Sequence, residues 1–313
     1  KGMLPSTELK KGVGATVHTS APARPSLTAH PLTNEHEAEV LGFLARRPLH
    51  TVIMAGFIRD NGLESPFNRG TFYGCRDGAG RLEGVALIGH GTFMEARSEG
   101  ALEAFARLAR SCPRAHMILG EQGKVGRFWN YYAGADEAPR LFCRELLFEL
   151  RRPVESPEPV PALRRATLDD LSLVVPVHAL GAFAESGVNP LEVDPKGFRL
   201  RCARRIEQGR MWVWTEGARV IFKADVISET PEVIYVEGVY VDPQERGKGY
   251  GLRCLSQLAR TLLAKTNSLT LLVNEQQRGA HSFFRKAGFE ERGLYDTIFL
   301  RREHAATAEG GSH

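Results

Sequence analysis

The stretch Val236-Glu-Gly-Val-Tyr-Val-Asp-Pro-Gln-Glu-Arg-Gly-Lys-Gly-Tyr-Gly251 constrains the fold of this chain more than any other. Its first six residues read as a strand, and Asp242-Pro243 closes the run because proline cannot extend a sheet ladder. Arg246, Gly247, Gly249 and Gly251 follow, and then Leu252, Leu255, Leu258, Leu262 and Leu263 recur at helical spacing. A strand therefore runs through a glycine loop into a helix. Glycines lack Cβ and let successive backbone N–H groups turn toward one point, where the helix start adds partial positive charge. Such a cradle holds a phosphate or pyrophosphate.

Spacing excludes two familiar phosphate loops. A nucleoside-triphosphate loop needs Gly-Lys followed by Ser or Thr, but Gly247-Lys248 runs into Gly249. A dinucleotide fingerprint needs a third glycine where Leu252 stands. The pattern present is Arg-x-x-Gly-x-Gly at Arg246, Gly249 and Gly251. In this the chain resembles the GNAT superfamily of acyl-CoA-dependent N-acyltransferases, whose pyrophosphate loop has that form. The hexapeptide alone would also suit a surface turn capping a helix; the flanking strand and helix favour the cradle.

A second element lies about 35 residues further on, in the order the family has. Leu269 to Asn274 reads as a buried strand, followed by Ala280, Phe283, Phe284, Lys286, Gly288 and Phe289. This is similar to the family's strand ending in Asn and its short helix of the form Ala-x-x-Leu-Tyr-x-Lys-x-Gly-Phe. The helix is expected from about Arg278 to Lys286, ended by Gly288. Phe222-Lys223-Ala224 before the cofactor strand adds to the likeness, which is strong over roughly residues 219 to 300. Two positions depart from the family pattern. The tyrosine that often protonates the departing thiolate is Phe284 here, and a common asparagine is Gln277.

The resemblance implies that acetyl-CoA lies between two splayed strands. It places the cofactor against Val239, Tyr240, Val241, Arg246, Gly247, Lys248, Gly249, Tyr250, Gly251, Leu252, Asn274 and Phe284. It implies direct attack by an amine within a ternary complex, on a small molecule or on a protein N-terminus or lysine, with no metal. Glu237 is the candidate base; simple strand alternation puts it on the same face as Val239 and Val241. Tyr295 is the candidate acid, with Tyr240 a further tyrosine to hand. Glu185, Glu192 and Asp194 lie in the segment expected to wall the acceptor pocket. His178 and His281 read as helix packing or surface residues. The competing function is an acyl-CoA-binding sensor that transfers nothing, which Phe284 favours.

At 313 residues the chain has length for about two domains. Residues 153–161 hold four prolines and read as an extended linker. They separate a GNAT-like first half, 27–152, from an acetyl-CoA-binding second half, 162–302, with mobile tails at 1–26 and 303–313. The expected class is α/β (α+β): two GNAT-like halves, each a mixed twisted sheet flanked by helices. Within the first half, Gly89-His90-Gly91 stands where the cradle is expected but lacks its pattern, and Glu95 and Glu99 would repel phosphate, so this half is read as degenerate. The net charge of +4, from 41 basic and 37 acidic residues, gives no indication of nucleic acid. Five scattered cysteines offer no paired zinc spacing and suit a reduced, cytoplasmic protein. No apolar run is long enough for a membrane span.

Overall fold

The computed structural model describes residues 27–134, 137–155 and 159–301. The expected tails and residues 156–158 of the linker lie outside them. One order of elements occurs twice, with one extra short helix in the second half. The first half runs β1 (Ala29–Pro31), α1 (Glu37–Leu44), α2 (Pro48–Asn61), β2 (Gly70–Arg76), β3 (Leu82–Gly89), β4 (Gly91–Ala96), α3 (Glu99–Arg110), β5 (Met117–Glu121), α4 (Gln122–Tyr132) and β6 (Leu141–Leu150). The second runs β7 (Arg164–Arg165), α5 (Leu171–Ser186), α6 (Pro190–Val193), α7 (Pro195–Glu207), β8 (Met211–Glu216), β9 (Arg219–Glu229), β10 (Val233–Val241), α8 (Tyr250–Leu263), β11 (Ser268–Asn274), α9 (Arg278–Lys286) and β12 (Glu290–Phe299). In each half one strand pair is parallel, β4 with β5 and β10 with β11. The protein is thus a mixed α/β fold of two similar halves.

The halves exchange their last strands. The strand order is β1-β2-β3-β4-β5-β12-β6-β11-β10-β9-β8-β7. β12 closes the first half's sheet against β5, and β6 closes the second half's sheet against β11. The two exchanged strands pair with each other from Glu290↔Glu149 to Phe299↔Leu141. Sequence patterning suggests a final strand pair at 290–292 and 297–300. The chain instead stays extended through Gly293, because β6 offers pairing along the whole length apart from one irregularity at Glu291/Gly293.

Helix α8 forms because its apolar residues fall on one face. Cys254, Leu255, Leu258, Ala259 and Leu262 are buried against β9, β10 and β11, whose Phe222, Val236 and Leu271 complete the cluster. Each large side chain there contributes about 1.5–3 kcal/mol, so Leu258→Asp would break this layer. Leu269 to Val273 alternate between this cluster and the opposite face, as a strand covered on both sides requires. The linker is pinned to the same helix: Val160 N–H donates to Gln257 Oε1 at 2.6 Å, and Gln257 Nε2 donates back to the Val160 carbonyl at 3.1 Å.

Helix α2, which the apolar pattern alone does not announce, spans both halves. It starts on Pro48, is capped by Gly62 and buries residues nearly all round. Ser228 Oγ on β9 donates to the Val52 carbonyl at 2.6 Å. Gly56 permits this approach, since a Cβ there would lie 1.7 Å from Ser228 Oγ. The first half thus roofs one face of the second half's sheet.

Candidate active site

β10 and β11 pair only from Val233↔Ser268 to Tyr235↔Thr270. Beyond that the strands separate, opening a cleft between residues 236–241 and 271–274. At its mouth Asp242 starts a short turn, its Oδ1 accepting from Gln244 N–H at 2.8 Å. Gly247 and Gly249 then take φ of +79° and +83°, and a Cβ on either would meet nothing within 4 Å. Those two glycines are needed for backbone conformation and leave the loop open. Gly251 serves contact instead: a Cβ there would lie 2.8 Å from Val241 Cγ2 and 3.3 Å from the Phe283 ring. The first turn of α8 has no intrahelical partners for its N–H groups, and Gly249 carries no side chain to cap them. The loop is thus an open helix start with uncapped backbone N–H groups.

The other expected cofactor residues are distributed around this loop. Val239, Val241 and Leu252 pack against the cluster under α8. Arg246 Nε donates to the Val241 carbonyl at 3.1 Å, and Lys248 Nζ meets Glu245 at 2.8 Å, so both cations brace the loop. Tyr250 packs edge-on against Trp214. Asn274 ends β11: its Oδ1 accepts from Gln276 N–H, and its carbonyl lies 2.9 Å from His281 Nε2. His281 is thereby a turn-packing residue. Phe284 is 7% exposed and packs among Phe148, Phe283 and Phe289. Its ring is part of the core, and Phe283 is the ring of α9 that reaches Gly251.

Simple alternation along β10 fails at one residue. Glu237 opposes Asp225 and Tyr240 opposes Lys223, so β10 carries one more residue than β9 between these pairs. Gly238, at φ +59°, absorbs the extra residue as a bulge. Glu237 and Tyr240 therefore share the face of Lys223 and Asp225, turned toward α5 and α7. Val239 and Val241 occupy the other face, contrary to the alternation expected from sequence. The bulge separates the candidate base from the apolar wall of the cleft.

Three carboxylates influence one another on that base-bearing face. Glu145, on the exchanged strand β6, is pushed upward from the usual carboxylate range by burial, then by the charges of Glu237 and Asp296, although Thr297 Oγ1 donates to it at 2.5 Å. Glu185, at the end of α5, reaches solvent yet is surrounded by protein, and its carboxyl is likewise pushed upward by desolvation, Glu237 and Glu145. The Glu185 carbonyl lies 3.8 Å from Cys143 Sγ on β6, which places α5's end over the exchanged strand. Tyr295 lies directly opposite Glu145 on β12 and shares its face. Its hydroxyl is 2.8 Å from His50 Nδ1 on α2, and burial raises its phenol well above the ordinary range. Glu192 and Asp194 do not join this group; Glu192 accepts from Asn189, and Asp194 caps α7 and pairs with Arg201.

The match of residues 188–289 to the acetyltransferase (GNAT) family model agrees with this cleft. These residues belong to the GNAT family. No curated protein matches the chain. Among solved structures, a Drosophila protein is similar at TM-score 0.63 and 13% identity, covering 88% of this chain and 99% of its own. An acetyltransferase from the GNAT family of Colwellia psychrerythraea gives 0.56 and 11%, with the same coverage. A tandem GNAT protein from the clavulanic acid biosynthesis pathway gives 0.54 and 16%, over 87% of this chain and 98% of its own. At such identities the likeness establishes a shared two-half GNAT fold.

Beneath the bulge of the GNAT cleft lies a buried ionic group. Lys223, 1% exposed, places Nζ 2.5 Å from Oδ2 of Asp225, which is fully buried. His178 Nδ1 is 3.2 Å from the same oxygen, and Arg205 Nη1 is 3.5 Å from it. Burial opposes the Asp225 charge, but Lys223, His178 and Arg205 outweigh it and hold the carboxyl well below its ordinary range. Burial pulls the His178 imidazole down from its ordinary value, against the opposing hydrogen bond and charge of Asp225. A Cβ at Gly238 would lie 3.1 Å from both Asp225 Oδ2 and Lys223 Nζ, so this group sits directly against the bulge. Sequence reading left His178 as packing and missed Glu145, which the strand exchange delivers from another half. Among the described residues no cluster of His, Cys, Asp or Glu could hold a metal ion. No described helix is long and apolar enough to cross a membrane.

Proposed function

We propose that the protein is an N-acyltransferase moving an acetyl group from acetyl-CoA to an amine acceptor by direct attack in a ternary complex. One observation carries this reading: an open, uncapped glycine loop at the mouth of a splayed cleft whose far side bears Glu237. The N–H groups of residues 247–252 would hold the pyrophosphate, and the freed edge of β10 would hold the pantetheine and polarise the thioester carbonyl. Glu237 takes a proton from the acceptor ammonium, and the amine lone pair attacks the carbonyl carbon. Collapse of the tetrahedral adduct breaks the C–S bond, and the extra proton on the attacking nitrogen passes to the departing sulfur or to solvent, leaving an amide and CoA. A thiol of pKa about 8.5 leaves without a strong acid, so Phe284 in place of a tyrosine is compatible with turnover. Tyr295 is the remaining acid candidate on that face. Reduced thiols at Cys75, Cys202 and Cys254 suit a cytoplasmic setting.

Phe284, buried and without a hydroxyl, also supports a second reading, a protein that binds acyl-CoA and transfers nothing. Calorimetry with acetyl-CoA tests the shared part: one site per chain is expected, lost in Gly249→Glu. Release of CoA thiol on adding amines then separates the two. Binding with no release under any amine would favour the sensor, and no binding of acetyl-CoA or CoA would sink both.

A further inference from the structure

Helix α5 crosses the cleft. His178 Nδ1 lies 3.2 Å from Oδ2 of Asp225 on β9, and near the end of the helix the Glu185 carbonyl lies 3.8 Å from Cys143 Sγ on β6. The splayed strands β10 and β11 are the two that stand between β9 and β6. Both ends of the crossing are level with the splayed part, since Asp225 opposes Glu237, and Glu145, next on that face of β6 after Cys143, opposes Asn274. Glu185 follows His178 by two helical turns, about 10.5 Å of α5. At that spacing the two side chains leave the same helix face, and His178 shows that this face is turned to the sheet.

Core packing does not reach these two turns. The buried residues of α5 are Leu171, Val174, Val175 and Ala179, all before Leu180, while Leu180 and Phe183 are exposed. Pro176 removes one helical N–H donor at the root of the crossing, and Gly181 adds backbone freedom within it. The contacts that hold the span lie at its two ends. At the root, His178 bonds Asp225, whose Oδ2 also takes Lys223 and Arg205, and its ring stacks on Phe198 of α7 at 5.3 Å. At the tip, Arg140 Nη1 donates to the Ser186 carbonyl at 2.9 Å. The same Asp225 oxygen is 3.1 Å from the place a Cβ of Gly238 would take. One carboxylate thus ties the crossing helix to the bulge beside Glu237.

We propose that His178 is a positioning residue for acceptor binding: its bond to Asp225 holds the last two turns of α5 across the cleft, where the Glu185 carboxylate takes the acceptor's ammonium. This rests on the transferase reading and adds to it a binding carboxylate and the side chain that places it. The two carboxylates have separate tasks, Glu185 binding the ammonium and Glu237 taking its proton.

His178→Phe keeps a ring over Phe198 and removes the bond to Asp225. Hydrogen exchange on the full chain reads the pinning without any ligand: amides 180–187 should exchange about tenfold faster or more, with those of α8 unchanged. Kinetics read the binding role, with methylamine, the smallest primary amine, as acceptor and acetyl-CoA saturating. His178→Phe and Glu185→Gln should each raise the methylamine KM about tenfold and keep the wild-type affinity for acetyl-CoA by calorimetry. Because His178 acts through Glu185, the double variant should also stand at about tenfold and not at about a hundredfold. A multiplied effect in the double variant, an unchanged KM in either single one, no thiol release by acetyl-CoA-bound wild type with methylamine, or unchanged exchange at 180–187 would overturn the inference. Glu185→Gln is at an exposed position, so its KM decides the matter even if His178→Phe does not fold. If acetyl-CoA does not bind, the transferase reading falls by itself, and exchange still decides whether His178 pins the helix.

Discussion

The two halves share an order of elements and a splayed parallel pair, and differ in how the first strand of that pair leads into its helix. In the first half, β4 pairs with β5 only at Gly91↔Met117 and Thr92↔Ile118 before separating, much as β10 leaves β11. After β4, two residues, Arg97 and Ser98, lead into α3; after β10, eight residues, 242–249, lead into α8. Ser98 caps α3 by accepting from Ala101 N–H, and Arg97 stacks on Phe43 at 4.6 Å. Gly249 leaves α8 uncapped. The first half's wedge is filled by Arg47 and Lys124 clamping Glu95 and Glu121 at 2.6 to 3.1 Å. The same framework thus gives an ion cluster in one place and an open, uncapped glycine loop in the other. Loop length and the cap decide between them, and the sheet is indifferent.

The largest expected effect breaks that contrast at its centre. Gly249→Glu places a side chain at φ +83° and a carboxylate at the proposed phosphate position, and should weaken acetyl-CoA by more than about 100-fold, two decades being about 2.7 kcal/mol. Ser98→Ala removes the cap in the other half, costing about 1 kcal/mol of stability and leaving acetyl-CoA affinity unchanged. Any loss of affinity in Ser98→Ala would mean that the first half binds cofactor after all.

The next contrast is between the two ionic groups. Lys223→Met leaves Asp225 buried without its closest cation, and such a broken pair costs about 3–5 kcal/mol. Arg47 is 37% exposed along its side chain, and water can take over its role, so Arg47→Met should cost clearly less. Denaturant titration ranks the two, and a larger loss for Arg47→Met would show the first half's cluster to be the structural keystone. Glu237→Gln comes after these: it should lower kcat by about 100-fold, the low end for a lost general base, with acetyl-CoA affinity intact. A variant with unchanged rate and pH profile would remove Glu237 from the chemistry.

Much of this was legible in the residues, for local reasons. The strand, glycine loop and helix from Val236 to Leu263 announce themselves because each element's signal lies within the element, and α9 runs from Arg278 to Lys286 as expected. The features that stayed hidden depend on partners distant in sequence. Helix α2 is covered by both halves and so has no apolar stripe to read. Gly89 and Gly91 looked like a ruined cradle but flank the turn between β3 and β4, while the true counterpart is Arg97–Ser98. Glu145 enters the site through strand exchange, which no pattern in β6 encodes. The Gly238 bulge is a single positive φ, and it reverses the faces of every residue after it.

The smallest effect sharpens the comparison between paired and unpaired carboxylates. Burial pushes the Glu121 carboxyl upward, but hydrogen bonds from Arg47 and Lys124 prevail and bring it down to about 2. Its folded pKa lies below the unfolded value of 4.5, so its contribution to stability is present above that pH and is lost as pH falls toward 2. Glu145 has the opposite sign. Its folded pKa is raised, so the folded state holds a proton more tightly than the unfolded chain does, and ionising it at high pH destabilises the fold. That penalty is full above the raised value and gone below 4.5. Glu145→Gln keeps an acceptor for Thr297 and removes the charge, so it should raise the melting temperature at pH 8 and lose that gain by about pH 4, below the ordinary glutamate pKa of about 4.3. Glu121→Gln should do the reverse, destabilising at pH 8 and approaching neutrality in acid. A Glu145→Gln protein less stable than wild type at pH 8 would mean that this carboxylate holds the exchanged strand in place, rather than ionising at a cost to the fold.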